Sequence, residues 1–467
     1  MDLAAKPSSR VGRSAEVVTP LPGARLTLIL LLSLNLLNFM DRYVLAAVEP
    51  EIRTELLLSQ DPEDKSAKFK TGLLSTAFFV TYSIIAPVFG WLAERNSRWK
   101  LIGIGVIVWS LASGASGLPW SLGISNSYLL QFGITEAFFL LFLTRCFVGV
   151  GEGAYGPIAP TVISDLYPER IRGRVLAWFY MAIPVGSALG FALGGQVKTL
   201  APVNILGRLT EGWRLAFYMV VIPGIILGLL CFFMRDPERG RADAATIRSG
   251  RRLTRRDYLA LLRIPSYTLD TLGMAAMTFA TGGLAYWMPE YLKSEKAESF
   301  GSIEPITIFG GLTVITGLTA TLAGGIAGDK LRSRIPGSYF LVSGITMILG
   351  FIFFIMVLWT PFPTAWYFVF ITLFCIFFNT GPTNTILANV THPAVRASGF
   401  AFNIFFIHAF GDIISPPIIG YIADKTNLKV GFFVISLMML VSGIVWLCGT
   451  RFLQWDTEAA PARLDLS

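Results

Sequence analysis

Long runs without a charged residue constrain this chain more than any other feature of its sequence. Residues 26–40 and 215–234 contain no Asp, Glu, Lys or Arg. About 20 apolar residues, each rising about 1.5 Å along a helix, cross a hydrocarbon layer about 30 Å thick. The runs are too long and too continuous for the alternating strands of a membrane barrel. We therefore predict an all-α integral membrane protein.

The apolar runs divide the chain into two sets of six spans. Between them lies the segment 235–265, which carries nine arginines and is predicted to be a cytoplasmic linker. We expect a tail over 1–24, a first bundle over 25–234, a second bundle over 266–450 and a tail over 451–467. The predicted spans are 25–48, 71–93, 100–118, 136–160, 173–197, 214–234, 266–289, 304–328, 338–359, 365–388, 397–421 and 429–450.

The basic residues predict the orientation of the chain. Twelve spans put both termini on one side, and that side holds 25 of the 38 lysines and arginines, against 11 on the other side. Such an excess is typical of cytoplasmic loops. We expect a multi-pass protein of the inner (plasma) membrane with both termini in the cytoplasm. The net charge of +8 is explained by these short loops, so no nucleic-acid partner is expected.

A motif recurs in the two halves. After span 2 the chain reads GWLAERNSR from Gly90, and after span 8 it reads GIAGDKLRSR from Gly325. Each copy has a glycine, an acid four residues later and a base directly after the acid. We expect the glycines to allow close helix contact. The charges form a cytoplasmic gate between the halves or only brace the inner face; the candidate gate residues are Gly90, Glu94, Arg95, Arg98, Asp329 and Lys330.

A second repeat supports the duplication. Tyr167-Pro168 is followed by Arg172, and His392-Pro393 is followed by Arg396. The first motif repeats after 235 residues, from Gly90 to Gly325, and the second after 225 residues, from Pro168 to Pro393. The difference between these two separations is no more than the length of one loop. Parallel repeats of this kind enclose a central site near the middle of the membrane. We therefore predict two six-helix bundles related by a pseudo-two-fold axis.

The motif beginning at Gly90 resembles the signature between helices 2 and 3 of the major facilitator superfamily, with Glu94 where the family usually has Asp. The segments NFMDRY from Asn38 and RCFVGVGEGA from Arg145 resemble the spinster branch, in particular its bacterial members. The resemblance implies proton-driven export or antiport of lysolipids or sphingoid phosphates. Related branches that carry small organic anions share parts of both motifs, so a small anion is the alternative substrate.

Four charged residues fall well inside the predicted spans of the first bundle, away from the span ends. An ionisable group at mid-membrane costs at least about 2.5–3.5 kcal/mol, so each is a functional candidate. Asp41 and Arg42 are adjacent in span 1 and therefore point about 100° apart. Arg145 and Glu152 share one face of span 4, about 10 Å apart along its axis. We expect Asp41 and Glu152 to carry protons and Arg42 and Arg145 to bind substrate; a static network between helices is the alternative.

The glycines beside Glu152 predict a close contact of span 4 with a neighbouring helix, plausibly span 1. In span 11, His408 and Asp412 are four residues apart and form a possible proton relay, or else a satisfied core pair. Asp270, near the start of span 7, is expected to face water. Tyr286 and Trp287 either gate the outer side or belong to the aromatic belt at the membrane surface, and we favour the belt.

Several classes of protein are excluded or disfavoured by the sequence. No phosphate-binding loop, His-Glu-x-x-His motif or Gly-x-Ser-x-Gly elbow occurs, and the four cysteines lie in or at the edge of apolar runs. We expect no metal, no cofactor and no catalytic residue. A membrane-embedded enzyme and a channel remain remote alternatives. The predicted function is a secondary transporter, acting as a monomer, that contacts membrane lipids, moves an amphiphilic or anionic substrate and draws energy from a proton gradient.

Overall fold

The computed structural model describes residues 20–58, 64–93, 95–118, 134–167, 175, 178–200, 202–205, 208–238, 260–295, 303–391 and 396–460. It has twelve transmembrane helices in two bundles of six. The first bundle comprises α1 (Ala24–Ala47), α2 (Ala67–Ala93), α3 (Arg98–Ser116), α4 (Glu136–Gly153, continued by Ala159–Leu166), α5 (Ala182–Val197) and α6 (Gly212–Cys231). The second comprises α7 (Pro265–Ser294), α8 (Pro305–Arg332), α9 (Ser338–Trp359), α10 (Ala365–Phe377, continued by Thr380–Val390), α11 (Arg396–Ile407, the π-helical turn His408–Asp412, and Ser415–Lys425) and α12 (Leu428–Gly449).

Short elements lie outside the spans. A helix, Glu49–Arg53, and a π-helical turn, Thr54–Leu58, follow α1. A small hairpin pairs Val203–Ile205 with Arg208–Thr210 before α6, and a helix, Leu453–Ala459, follows α12. We call the side on which α1 begins the inner side and the opposite side the outer side. Most of the predicted linker, 239–259, lies outside the described residues.

Ten of the described helices are long and apolar enough to cross a membrane. The two spans outside that set are α4 and α7. The eighteen residues of Glu136–Gly153 include Arg145 and Glu152, and α7 contains both Asp270 and Glu290. Both of these spans therefore carry charged residues along the part that crosses the membrane.

Glycines allow the helices of the first bundle to pack backbone against backbone. A Cβ added at Gly186 of α5 would lie 2.6 Å from the Leu36 carbonyl oxygen of α1, and one added at Gly151 of α4 would lie 2.6 Å from the Gly105 carbonyl oxygen of α3. The expected contact of the α4 glycines with α1 is wrong: Gly149 packs on α2. Gly153 also packs on α2, so these glycines bring α4 close to α2 and α3, while Glu152 is the residue that meets Arg42 of α1.

The two bundles are joined on the outer side. Among the described residues, the hydrogen bonds and ion pairs between bundles lie between the membrane centre and the outer surface. The Asp424 carboxylate of α11 accepts from the backbone N–H groups of Lys68 and Phe69 in α2, at 3.2 and 2.8 Å. A Cβ added at Gly72 of α2 would lie 2.7 Å from the backbone of Pro416. The central cavity is thus closed toward the outside.

Tyr286 and Trp287 belong to this outer closure, so assigning them to a surface belt was wrong. Both side chains are buried. The Tyr286 hydroxyl donates across the bundles to the Thr71 carbonyl, and the Trp287 indole donates to the Pro416 carbonyl at 2.8 Å. Polar ring atoms with partners of this kind are typical of packed interfaces. Their neighbours in space could not be read from the aromatic-rich sequence.

On the inner side, the two repeated glycines differ: Gly325 of α8 lies against Gly381 of α10, where a Cβ added at Gly381 would be 3.2 Å from the Gly325 Cα atom. A Cβ at Gly90 would meet no atom within 4 Å, so the expectation of close packing is wrong for Gly90. Arg98 pairs with Asp165 at 2.5 Å and with Asp236 at 2.8 Å, and both acids belong to the first half of the chain. The Asp329 carboxylate accepts from Tyr339 at 2.7 Å within the second half. In this conformation, Arg98 and Asp329 brace their own bundles.

Asp270 is also placed differently from the expectation. It was expected to face water, but its side chain is fully buried within the second bundle. Neither of its carboxylate oxygens has a hydrogen-bond partner among the described residues. Its backbone carbonyl accepts from the Trp446 indole at 3.4 Å, so α12 covers this part of α7.

Candidate functional site

Asp41 lies at the centre of the first bundle, on the face of α1 that meets α3. Its carboxylate accepts a hydrogen bond from the Ser113 hydroxyl through Oδ1, while Oδ2 is buried without a partner among the described residues. The side chain has no exposure to solvent. Arg145 and Arg42 are both near enough to act on it electrostatically. Asp41 is therefore a buried acid held by one hydroxyl and two nearby cations.

Arg42 leaves α1 in a different direction and meets Glu152 of α4. Its Nε and Nη2 atoms both lie 2.6 Å from Glu152 Oε2. Glu152 is fully buried, and its other oxygen, Oε1, has no hydrogen-bond partner among the described residues. Arg42 keeps 16% of its side chain exposed. The ion pair thus has a buried acidic end and a cationic end that reaches an accessible space.

Aromatic rings surround the Arg42 guanidinium. Its Cζ atom lies 4.8 Å from the ring centre of Phe78, 4.9 Å from that of Phe39 and 5.3 Å from that of Tyr82. Rings at such distances attract a cation through their quadrupoles while offering an apolar surface. The Arg42 guanidinium thus contacts both the Glu152 carboxylate and several aromatic rings.

Arg145 forms a separate anchor on α4. Its Nη2 donates to the Ser116 hydroxyl of α3 at 2.6 Å, and its guanidinium lies 5.1 Å from the ring centre of Phe217 in α6. Its Nε is buried without a partner among the described residues. Arg145 and Glu152 do not pair directly, in agreement with their separation along one helix.

The second bundle contributes His408 and Asp412, which lie in the π-helical turn of α11. His408 Nδ1 lies 2.9 Å from Asp412 Oδ2. The imidazole stacks on Phe79 with ring centres 5.4 Å apart and meets Tyr82 edge-on at 6.0 Å. Turns of this type occur often at functional sites. The His408–Asp412 pair therefore faces the aromatic residues around Arg42.

The four central charges of the first bundle balance one another. Asp41 and Glu152 supply two negative charges when ionised, and Arg42 and Arg145 supply two positive charges. A buried cluster with zero net charge avoids most of the cost of an unpaired charge in an apolar interior. Any added anion upsets this balance unless a proton enters with it.

Comparison with known proteins places the chain in a family. The Major Facilitator Superfamily model matches residues 31–411. Protein spinster homolog 1 of Xenopus laevis is 31% identical over 96% of this chain and 85% of its own length. The sphingosine-1-phosphate transporter SPNS2 of Danio rerio is 32% identical over 84% of this chain and 74% of its own. The chain belongs to the spinster family of the major facilitator superfamily.

The fold agrees with this placement, and the chain is a membrane transporter. A bacterial homologue of the human lysosomal transporter spinster, solved in an inward-facing and unoccupied conformation, superposes with a TM-score of 0.70 at 21% identity. The match covers 94% of this chain and 97% of the solved one.

The structure brings the predicted site residues together in part. Arg42 and Glu152 form a direct ion pair, and Asp41 and Arg145 lie near enough to act on each other electrostatically. His408 with Asp412 lies opposite. Of the predicted gate residues, Glu94 lies outside the described residues, and Lys330 is exposed. Sequence reasoning missed Ser113 and Ser116, which hold Asp41 and Arg145. Small hydroxyl residues are too common in membrane helices to single these two out.

Proposed function

We propose that this spinster-family transporter is proton-coupled and moves an amphiphilic lipid with an anionic head group, such as a lysophospholipid or a sphingoid phosphate. The Arg42–Glu152 ion pair carries the proposal. Arg42 is the cation of the network that remains accessible, and its partner acid is buried with one free oxygen. An anionic head group that binds Arg42 competes with Glu152 for the same guanidinium.

Charge balance links that competition to a proton. When the head group takes Arg42, Glu152 becomes a buried carboxylate without its cation, which is costly unless the carboxylate accepts a proton. Anion binding at Arg42 and proton binding at Glu152 therefore favour each other, and this coupling is reciprocal. Asp41, next to Arg145, is the second proton site. This scheme favours transport of proton and anion together over the exchange that the family resemblance implied.

The surroundings of Arg42 support an amphiphile. The guanidinium sits among the rings of Phe39, Phe78 and Tyr82, which form an apolar surface beside the cation. Apolar chains gain about 0.8 kcal/mol for each methylene that leaves water. The transporter of Danio rerio named above carries such a molecule, sphingosine 1-phosphate. A small organic anion would use Arg42 but would not need the apolar surface.

Transport measurements in proteoliposomes test the proposal. Uptake of a labelled lysophospholipid, a sphingoid phosphate and a small organic anion is compared with and without a pH gradient. We expect both lipids to be moved and a pH gradient to drive accumulation. Glu152→Gln should remove the effect of the gradient, whereas Glu136→Gln, at the outer end of the same helix, should retain it. Transport of the small anion alone would contradict the lipid assignment.

The setting of the protein in the cell is part of the proposal. The excess of basic residues on the side of the termini supports an inner (plasma) membrane protein with both termini in the cytoplasm. We expect it to act as a monomer, without a metal or cofactor and with the proton gradient as its energy source. Reaction of the exposed Cys448, near the inner end of α12, with a membrane-impermeant thiol reagent tests the orientation.

A further inference from the structure

A charged cluster joins the two bundles on the outer side, away from the central network. It consists of Glu49 and Arg53 in the short helix after α1 and Glu290 in α7. Arg53 Nε lies 3.0 Å from Glu49 Oε1, and Arg53 Nη2 lies 2.7 Å from Glu290 Oε1. Thr71 of α2 also donates to Glu49 Oε1 at 2.6 Å. One guanidinium thus connects two carboxylates that belong to different bundles.

The outer cluster has one acid in excess. Glu49 and Arg53 are almost fully buried, and Glu290 is 17% exposed. Glu49 Oε2 and Glu290 Oε2 are buried without a hydrogen-bond partner among the described residues. With both carboxylates ionised, the cluster would carry a net charge of minus one in a poorly hydrated interface, which is unfavourable. One proton on either carboxyl group makes it neutral.

The other charged groups around the cluster have partners of their own, although Arg53 also acts electrostatically on Asp424. Asp424 of α11 accepts from two backbone N–H groups of α2 and lies 3.9 Å from Lys68, and Lys70 pairs with Asp64 at 2.8 Å. Tyr286 of α7 donates to the Thr71 carbonyl. Next to Arg53 on the short helix, Glu51 pairs with Lys198 within the first bundle at 3.3 Å. Arg145 of the central network, which acts electrostatically on Tyr286, donates to Ser116.

We propose that the Glu49–Arg53–Glu290 cluster binds one proton while the outer side is closed and releases it when the bundles part, so that the outer pH controls opening. Opening separates Glu290 from Arg53 and exposes both carboxyl groups to water. The proton is then lost because a hydrated glutamate is ionised at neutral pH. The cluster is thus a second proton-binding site, distinct from Asp41 and Glu152.

The sign of the pH dependence follows from linkage. Burial raises the pKa of Glu49 in the closed form, and the neighbouring Glu290 adds to this, while Arg53 opposes it. A hydrated glutamate titrates near about 4.3. The closed form therefore binds the proton more tightly. Its extra stability is complete at low outer pH and is lost as the outer pH rises through the raised pKa.

A distance measurement between the bundles tests the proposal on the full chain in proteoliposomes. Spin labels are placed at the exposed outer positions Lys65 and Thr426 in a chain whose native cysteines are replaced. Asp41→Asn and Glu152→Gln are included, so the central carboxyl groups do not titrate and the result does not depend on the proposed coupling. We expect the ratio of open to closed molecules to rise with outer pH, by at most about tenfold per pH unit for one proton.

Variants distinguish a proton site from a metal site and from a general effect of lost charge. Glu290→Gln, which resembles the protonated carboxyl group, should abolish the pH dependence and keep the outer side closed; Glu49→Gln serves as a second variant should the first fold poorly. The control Glu51→Gln makes the same charge change in the same short helix and should behave like the parent. An unchanged pH dependence in Glu290→Gln, or its loss in Glu51→Gln, would overturn the proposal. So would a shift toward closure on adding Na⁺ or Ca²⁺ at constant pH, since a metal ion would then be the ligand.

Discussion

The central parts of the two bundles differ sharply although the chain is duplicated. In the first bundle, α1 and α4 place four ionisable side chains at the centre, with Arg42 and Glu152 paired at 2.6 Å. The corresponding helices of the second bundle are α7 and α10, and residues 365–391 contain no charged residue. There the Thr346 hydroxyl donates to the amide of Asn379 at 2.9 Å. Duplication preserved the scaffold, while ionisable chemistry is concentrated in one half.

This difference indicates a division of roles. Charged groups that bind a proton or an anion need partners fixed in space, and α1, α3 and α4 supply them through close packing at glycines such as Gly105 and Gly151. The second bundle adds His408 and Asp412 on α11, which reach the aromatic residues of α2. We therefore expect substitutions in the first bundle to affect chemistry more strongly than similar substitutions in the second.

The largest effect is expected for Arg42→Gln. Removing one partner of a buried ion pair leaves the other charge uncompensated, at a cost of about 3–5 kcal/mol. The variant should lose binding of anionic lipids and transport them at background rates in proteoliposomes. Arg25→Gln, at the exposed inner end of the same helix, is the control and should transport normally. Transport by Arg42→Gln at more than half the parental rate would contradict the assignment of the head group.

The next largest effect is expected for Asp41→Asn and concerns coupling. The asparagine can still accept from Ser113 but cannot take up a proton. Downhill transport should remain measurable, while accumulation driven by a pH gradient should fall about tenfold or more, because one lost coupled proton removes about 1.4 kcal/mol of driving force per pH unit. The readout is the ratio of internal to external substrate at fixed pH difference. Intact proton-driven accumulation would refute the coupling role of Asp41.

A smaller effect is expected on the other side of the cavity. His408→Phe keeps the stacking on Phe79 but leaves Asp412 without its partner. A hydrogen bond to a charged group contributes about 1.5–3 kcal/mol, so transport should slow by about tenfold. His408→Gln, which can still donate to Asp412, should recover much of the rate. Equal rates for the two variants would show that the hydrogen bond is unimportant.

The sequence predicts the fold well because each membrane span is a continuous run of about 20 mostly apolar residues, which can be recognised locally. Twelve apolar runs and one Arg-rich break lead directly to two bundles of six, and the spinster resemblance follows from contiguous motifs. The central four charges are also visible, since a charge in an apolar run is conspicuous. The sequence predicts that Arg42 and Asp41 point in different directions and that Glu152 lies on the same face of α4 as Arg145. The pairing of Arg42 with Glu152 follows only when α1 is known to lie beside that face of α4.

Contacts between bundles are the part that sequence does not predict. Glu49 and Arg53 are four residues apart just after span 1, which signals a helical pair, but nothing local connects them to Glu290. The partners of Tyr286 and the lack of contact at Gly90 likewise depend on which side of the cavity is closed. Such contacts join residues more than 200 positions apart and change with conformation, so a local pattern carries little information about them.

The comparison between bundles is sharpest for Asp270, for which the smallest effect is expected. Asp270→Asn makes the same chemical change in α7 that Asp41→Asn makes in α1. Asp270 is as deeply buried as Asp41, but neither of its carboxylate oxygens has a partner among the described residues, and it lies next to Trp446 within the second bundle. Ionising a buried carboxyl group without a nearby cation is costly, so we expect the Asp270 carboxyl group to stay protonated and its replacement by a neutral amide to change little.

Proton-driven accumulation by Asp270→Asn should therefore stay within about twofold of that of the parent. A twofold change corresponds to a free-energy change of about 0.4 kcal/mol. A loss of accumulation comparable to that of Asp41→Asn would mean that the second bundle carries a proton as well, and the division of roles between the bundles would have to be abandoned.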